Sequence, residues 1–284
     1  MENTKEFKSF YKEVQGNEGN KCHYPVRLDT YGCGCMHDCS YCYAKSLLDF
    51  RKLWNSQNPS VADIEKIRRK IFKLPDSLPA IRLGGMTDCF QACEQEFGVT
   101  YETIKALNKK KQPYLIVTKS DLVADDKYID ILDPDLAHIQ ITVTCTDDEV
   151  YKKLDFEKAP LPSRRIKAIE KLYKLGFDVQ LRLSPFIPTL IDFDVLNNVH
   201  CDKILVEFLR VNTWIKKWFG NYIDIDEYTV KQSGYRHLPL EKKKSLIAKI
   251  KGFSEISVCE DESKAYEYWK NKFNPNSDDC CNLR

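Results

Sequence analysis

Cys35-Met36-His37-Asp38-Cys39-Ser40-Tyr41-Cys42 is the stretch on which the reading of this chain turns. Three thiols at C-x3-C-x2-C spacing fit on one short loop, and gathered thiolates bind soft metals. A cubane iron–sulfur cluster takes one cysteine per iron, so three local ligands leave the fourth iron open or require a distant cysteine. Zinc competes, because three sulfurs and one remote ligand also close a tetrahedron. Zinc ribbons usually carry two C-x2-C pairs, and this chain has no second one. The iron–sulfur cluster is therefore the expectation, over zinc and over three free cysteines.

Outward from the loop, strands and helices alternate. Tyr24 to Thr30 alternates apolar and polar residues as a first strand that would deliver the loop at its C-terminal end. Ala44 to Trp54 and Val61 to Phe72 have helical apolar spacing, and Ala80 to Leu83 is a short buried strand ending in Gly84-Gly85. Thr100 is placed to cap a helix through Lys109. Tyr114 to Thr118, Ala137 to Val143, Val179 to Leu183 and Lys203 to Phe208 follow as strands, with helices at Lys127 to Leu132 and Ser163 to Leu175 between them. Gly176 stands where a left-handed helix cap is wanted. Roughly six strand–helix units predict an α/β chain with parallel strands, too few for a closed eight-fold barrel. The expected form is an open, partial (β/α)6 TIM-like barrel with a C-terminal extension. The division expected is a polar leader over 1–21, the barrel over 22–208 and the extension over 209–284. Active sites of such barrels lie at the C-terminal ends of the strands.

Of the 284 residues, 43% are hydrophobic and 30% charged, with a net charge of +2. That balance neither predicts nor excludes a nucleic-acid partner. No apolar run is long enough to span a bilayer, and the first twenty residues lack the apolar core of a signal peptide. Twelve cysteines without an export signal point to a reducing compartment and to metal ligation rather than disulfides, so a cytoplasmic location is expected.

The loop and its flanks, Gly34 to Ala44, resemble the signature of radical S-adenosylmethionine (SAM) enzymes, and within them the spore photoproduct lyase-like branch, also called DNA repair photolyase. Thr87, Asp88, Gln91 and Glu94, then Thr118-Lys119-Ser120, Ala159-Pro160 with Arg164-Arg165, and Pro185-Phe186-Ile187-Pro188 match further text of that branch, over about residues 27 to 190. Cys89 and Cys93 replace prolines of the branch, and Met86 replaces an acidic residue of the superfamily. The resemblance implies a [4Fe-4S] cluster on Cys35, Cys39 and Cys42 whose open iron takes SAM. It implies cofactor contacts from Tyr41, Gly84, Gly85, Thr87, Lys119, Thr142, Arg182 and Ile187. It also implies a one-electron donor such as flavodoxin or ferredoxin, and reductive cleavage of SAM to a 5′-deoxyadenosyl radical that abstracts hydrogen from a substrate.

A nucleic-acid base or thymine photoproduct is the substrate the branch implies, and a lyase of that kind needs a thiol hydrogen donor, for which Cys89 is the candidate. Two alternatives stay open: modification of a peptide or small metabolite with an auxiliary cluster, and a non-catalytic metal-binding nucleic-acid adaptor. An acid of the Leu154-Asp155-Phe156-Glu157 stretch and an arginine of the Arg164-Arg165 pair are expected to form a structural ion pair that holds the loop. Beyond residue 208, aromatics interleaved with cations suit either a lid on the barrel or stacking on bases. Cys259, Cys280 and Cys281 are candidates for a second iron–sulfur cluster, with Cys22, Cys89 or Cys93 as fourth ligand, whereas Cys145 and Cys201 look like core residues.

Overall fold

The computed structural model describes residues 7–11, 24 and 26–283, without the side chain of Tyr11. Cys22 lies outside the described residues. So does most of the polar leader; its described part carries strand β1, Phe10–Tyr11. The main sheet continues with β2 (Arg27–Leu28), β3 (Ile81–Leu83), β4 (Tyr114–Thr118), β5 (Ala137–Thr142), β6 (Asp178–Phe186), β7 (Lys203–Phe208) and β8 (Glu255–Cys259). Their order in the sheet is their order in the chain. β1 is antiparallel to β2, and β2 to β8 are parallel throughout. Strands added one after another on the same edge wind into a barrel, whereas a doubly wound sheet reverses direction part-way. The barrel is open, because β2 and β8 are not neighbours in the sheet.

The helices that matter to the site are α1 (Tyr43–Phe50), α2 (Ile64–Ile71), α3 (Val99–Lys110), α4 (Pro162–Lys174), α5 (Thr213–Phe219), α6 (Leu240–Ile247) and α7 (Ser263–Lys272). α4 begins with proline, whose fixed φ suits a first helical position, and ends before Gly176, which takes φ +85° as expected of a left-handed cap. Thr100 departs from expectation. α3 starts at Val99, two residues earlier than a Thr100 cap would place it, and Glu94 accepts from the backbone N–H of Thr100 and Tyr101, both at 2.9 Å. The Thr100 hydroxyl instead donates to the Cys89 carbonyl at 2.6 Å.

The strands carry two kinds of residue on their two faces. Ile139, Ile141, Leu181, Leu183, Ile204 and Val206 are buried in the same apolar core as Ile104, Leu107, Ile169 and Leu172 of the crossover helices. The alternate positions carry polar residues that form a ladder across β5 to β7, with Leu205 an apolar exception between Lys203 and Glu207. Asp178 meets His138 at 2.6 Å and Lys203 at 2.7 Å, Gln140 meets Gln180 at 2.7 Å and Arg182 at 2.8 Å, and Arg182 pairs with Glu207. Burying such groups is tolerable only because each finds a partner.

The parallel sheet runs past the boundary expected at residue 208. β8 lies in the segment read as an extension, yet it pairs with β7 from Glu255↔Lys203 to Cys259↔Glu207. Elsewhere in that segment, Phe219 of α5 packs on Tyr41 with ring centroids 5.4 Å apart and on Phe156 at 5.7 Å. Among the described residues no helix is long and apolar enough to cross a membrane.

Candidate active site

Cys35, Cys39 and Cys42 line a single cavity at the C-terminal ends of the strands. The chain reaches them through Gly34, where a Cβ would lie 1.8 Å from the Asn55 carbonyl oxygen, so no other residue fits. The loop is turned by the Asp38 N–H donating to the Cys35 carbonyl at 3.0 Å, with Asp38 at φ +42°. Cys42 ends it as the N-cap of α1, its sulfur accepting from the Lys45 N–H at 3.4 Å. A strap from residues 156–158 holds the loop from outside. Ser40 N–H donates to the Phe156 carbonyl at 2.8 Å, Lys158 N–H to the His37 carbonyl at 2.6 Å, and the Tyr41 hydroxyl to Glu157. The expected ion pair anchors this strap: Arg165 meets Glu157 at 2.6 Å, both fully buried. Thr144 also spends its hydroxyl on Glu157, at 3.0 Å.

Burial pushes all three loop thiols up in pKa. Thiols so placed ionise readily only when a bound cation takes up the charge, and three soft donors on one cavity fit three irons of a [4Fe-4S] cluster. His37, beside them on the cavity, has its Nε2 3.2 Å from the Asp88 carboxylate.

The next wall is Gly84 to Thr87. Gly84 takes φ +85°, and a Cβ there would sit 2.6 Å from the Val117 carbonyl oxygen. Asp29, just past β2, organises this segment by accepting from the N–H groups of Gly85 at 2.8 Å, Met86 at 3.0 Å and Thr87 at 3.2 Å. Burial raises the Asp29 carboxyl to about 6 even though these three donors work the other way. Tyr43 ties the two walls together, donating to the Gly85 carbonyl at 2.6 Å. Asp88 joins a third element. It accepts from the Thr118 hydroxyl at 2.7 Å and the Lys119 N–H at 2.6 Å. Burial opposes its ionisation, but His37 and these donors outweigh it and keep the carboxyl below its ordinary range.

Lys119 faces the cavity with Nζ 3.3 Å from the Ser184 carbonyl, 3.6 Å from Glu157 and 5.1 Å over the Tyr41 ring. Burial brings its ammonium down to about 8. Tyr41, Gly84, Gly85, Thr87, Thr142 and Arg182 line the same space.

Three expected site residues do not. Cys89 is fully buried in the main core, its thiol raised by that burial, because the turn after Asp88 sends it toward α3 rather than toward the loop. Cys93, half-buried before the short helix Glu94–Phe97, also lies off the cavity. Ile187 is fully buried as well: a register shift between Leu183 and Phe186 leaves Ser184 and Pro185 on the cavity and carries Ile187 into the core.

Cys259, Cys280 and Cys281 do reach the cavity. Cys259 ends β8, and the tail places Cys280 and Cys281 on the same cavity wall. The tail is pinned by Asp279, which accepts from the Tyr24 hydroxyl at 2.5 Å, the Cys281 N–H at 2.9 Å and the Leu283 N–H at 3.1 Å, and by Asn282 bonded to Glu255. The Cys280 hydrogen bond, then the charges of Arg182 and Arg82, bring the Cys281 thiol down to about 7 against burial.

Sequence reading overlooked Asp29, Tyr43, Glu207 and Arg210. Asp29 had a signal, an acid directly after the first strand's apolar run. Arg210 had none: it meets Asp261 at 2.5 Å from 51 positions away.

A family model described as Radical SAM superfamily matches residues 30–197. An uncharacterized protein of Methanocaldococcus jannaschii is 28% identical over 172 residues, covering 57% of this chain and 61% of that protein. An uncharacterized protein of Mycobacterium tuberculosis is 25% identical over 195 residues, covering 66% and 56%. The chain thus spans about 60% of the length of these curated relatives. Among solved structures, a spore photoproduct lyase complexed with dinucleoside spore photoproduct aligns with a TM-score of 0.57 at 16% identity, covering 80% of this chain and 72% of that one. SuiB of Streptococcus suis bound to precursor peptide SuiA aligns with a TM-score of 0.50 at 13% identity, covering 81% and 46%. These likenesses concern the fold. The family match covers more than half of the chain, and it takes in the cysteine loop, the glycine segment and Lys119: the chain belongs to the radical SAM superfamily.

Proposed function

We propose that this chain holds a [4Fe-4S] cluster on Cys35, Cys39 and Cys42 and binds SAM and a substrate in the cavity behind it. When bound, the cluster and SAM supply one-electron cleavage of the sulfonium and a 5′-deoxyadenosyl radical able to abstract hydrogen. One observation carries the reading: the three cysteines, Gly84 to Thr87, Lys119 and Thr142 all line one cavity.

Each of these groups has a distinct part. The N–H groups of Gly85, Met86 and Thr87 are taken by Asp29, so the segment offers acceptors, which suit the SAM ammonium rather than its carboxylate. Lys119 is a cation shielded from water, held by Ser184 and Glu157 and ready to pair with the SAM carboxylate. Thr142 brings a hydroxyl suited to the ribose. Tyr41, its hydroxyl committed to Glu157, contributes its ring beneath Lys119.

The far wall, with Arg182, Glu207, Arg210, Tyr235 and Tyr266, mixes charges and aromatic rings. That suits a polar heterocycle, and a nucleic-acid base or photoproduct is the substrate class we favour. Cys89 in the core leaves a lyase without the thiol donor expected there. This favours, as a second reading, modification of a peptide or small metabolite.

The test is anaerobic reconstitution followed by an assay for 5′-deoxyadenosine, with dithionite in place of flavodoxin or ferredoxin. Dinucleoside photoproduct, free nucleosides and short peptides form its substrate arms. Formation of 5′-deoxyadenosine above the substrate-free level with a nucleobase substrate supports the first reading, and stimulation by peptide alone supports the second. No 5′-deoxyadenosine in any arm, with the cluster intact, overturns both.

A further inference from the structure

We propose that the outer face of α5, together with Lys45 beside the cysteine loop, is the docking surface for an acidic one-electron carrier protein. The inference rests on the cluster reading of the loop and names where the partner that reduces the cluster would sit.

A chain of contacts leads from the loop to this surface. Asp38, between Cys35 and Cys39, accepts from Lys45 Nζ at 2.8 Å and lies 3.5 Å from Trp54 Nε1. Lys45 Nζ stands 5.3 Å over the Trp218 ring, and Trp218 lies against Trp214 with ring centroids 5.6 Å apart. Asn212, the cap of α5, reaches Ser46 of α1 at 3.5 Å. The three loop cysteines line the cavity, whereas Asp38, Lys45, Trp214 and Trp218 do not. A substrate has to enter that cavity; an electron only has to cross the loop. Tunnelling falls off steeply with distance, and the tryptophan pair is two side chains away from Asp38.

Charge on this face is unlike that of the other surface helices. α5 reads Thr213-Trp214-Ile215-Lys216-Lys217-Trp218-Phe219 and contains no acid. Ile215 and Phe219 are buried, which leaves Trp214, Lys217 and Trp218, at i, i+3 and i+4, facing outward, with Lys216 also exposed. Lys105 of α3 and Lys152 of the helix Asp148–Leu154 each pair with a glutamate three residues earlier. Lys216 and Lys217 have no ion-pair partner among the described residues. The end of a helix attracts lysines on its own account, but not two tryptophans. Segments 43–54 and 213–219 together hold five cations and one acid, Asp49, although the net charge of the whole chain is only +2.

Such a surface draws in an acidic partner at long range, and the tryptophan pair gives it an apolar contact on arrival. Redox encounters are brief and need only a small interface, which a seven-residue helix and its neighbours provide. Cations beside aromatic rings also suit a single-stranded nucleic acid. Here the Trp218 ring is already engaged by Lys45 and Trp214, and a strand lying on α5 would keep its bases outside the cavity. The carrier protein is the occupant these contacts favour.

The test has two arms, with flavodoxin and ferredoxin as acidic probes. Isothermal titration calorimetry measures their binding to the reconstituted protein, and stopped-flow absorption measures how fast the reduced probes, or dithionite, reduce the cluster. Lys216→Glu combined with Lys217→Glu should weaken probe binding and slow probe-driven reduction about tenfold or more, with dithionite-driven reduction unchanged. Added salt should narrow the gap between the wild type and this variant. The control, Lys167→Glu with Lys174→Glu on the exposed side of α4, should change neither arm. If no cluster assembles, the loop reading fails, and the binding arm run on the cluster-free protein still decides the docking surface. Neither probe binding to the wild type, binding unchanged in the α5 variant, or equal loss in the α4 control would each overturn it. So would an α5 variant that loses affinity for oligothymidylate while keeping both probes, which would assign the face to nucleic acid.

Discussion

Two groups of cysteines face one cavity, and they are built in opposite ways. Cys35, Cys39 and Cys42 lie within eight positions of each other and would come together in almost any compact loop. What the fold adds is rigidity, from the 156–158 strap and the buried Glu157–Arg165 pair. Cys259, Cys280 and Cys281 are brought together by the fold itself, through β8 on one side and a tail pinned by Tyr24 and Glu255 on the other. A local motif survives small errors in packing. A long-range one depends on each anchor.

The strongest way to break the first group is to remove the charge under it. Glu157→Gln keeps the shape but leaves Arg165 buried without a counter-charge, a loss of about 3–5 kcal/mol. Urea denaturation followed by circular dichroism should show it, together with poorer iron retention. A loss well under 1 kcal/mol would mean that the strap does not hold the loop.

Asp29 sharpens the comparison through pH. Its folded carboxyl is raised from 3.8 to about 6, so between those values the folded state holds more protons than the unfolded one. Its contribution is present in full below about pH 4 and is lost as pH rises through 6, by roughly 3 kcal/mol. The stability of the wild type relative to Asp29→Asn should fall across that window and stay level above it. A gap independent of pH would contradict the burial assigned to Asp29.

Lys119→Ala probes the cavity between the two groups. A shielded ammonium–carboxylate contact is worth about 1.5–3 kcal/mol, so SAM affinity should drop tenfold or more with the cluster intact. Unchanged affinity in equilibrium binding would remove Lys119 from the SAM site. The smallest effect belongs to the tail: Tyr24→Phe loses one hydrogen bond to Asp279, about 0.5–1.5 kcal/mol. It should loosen the second group and leave the first untouched. Faster hydrogen exchange confined to residues near Asp279 is the expected signature, and exchange spreading to the cysteine loop would contradict the separation.

The same contrast explains what could be read from sequence. β4 and β7 fall on the residues expected, because buried parallel strands are short apolar runs with clear ends. The cysteine loop, Lys119 and an acid–arginine pair between residues 154–160 and Arg164-Arg165 were legible because each sits in a short text with its own chemistry; which acid and which arginine pair, Glu157 and Arg165, only the fold decides. β8 was hidden: Glu255–Cys259 is one short strand among aromatic, irregular residues, and only pairing with β7 makes it part of the sheet. Cys89 and Ile187 were misplaced for a related reason. Text near a strand end places a residue close to the site, but the turn after Asp88 and the register shift after Leu183 decide which way it faces.

The central claim is that the loop cysteines carry a cluster with an iron open to SAM. Electron paramagnetic resonance of the anaerobically reconstituted, dithionite-reduced protein, recorded with and without SAM, tests it most directly. The account predicts about four irons per chain, a reduced-cluster signal that shifts when SAM is added, and loss of both in the Cys35, Cys39 and Cys42 alanine variant. Stoichiometric zinc without iron at the loop, or a cluster signal indifferent to SAM, would contradict it.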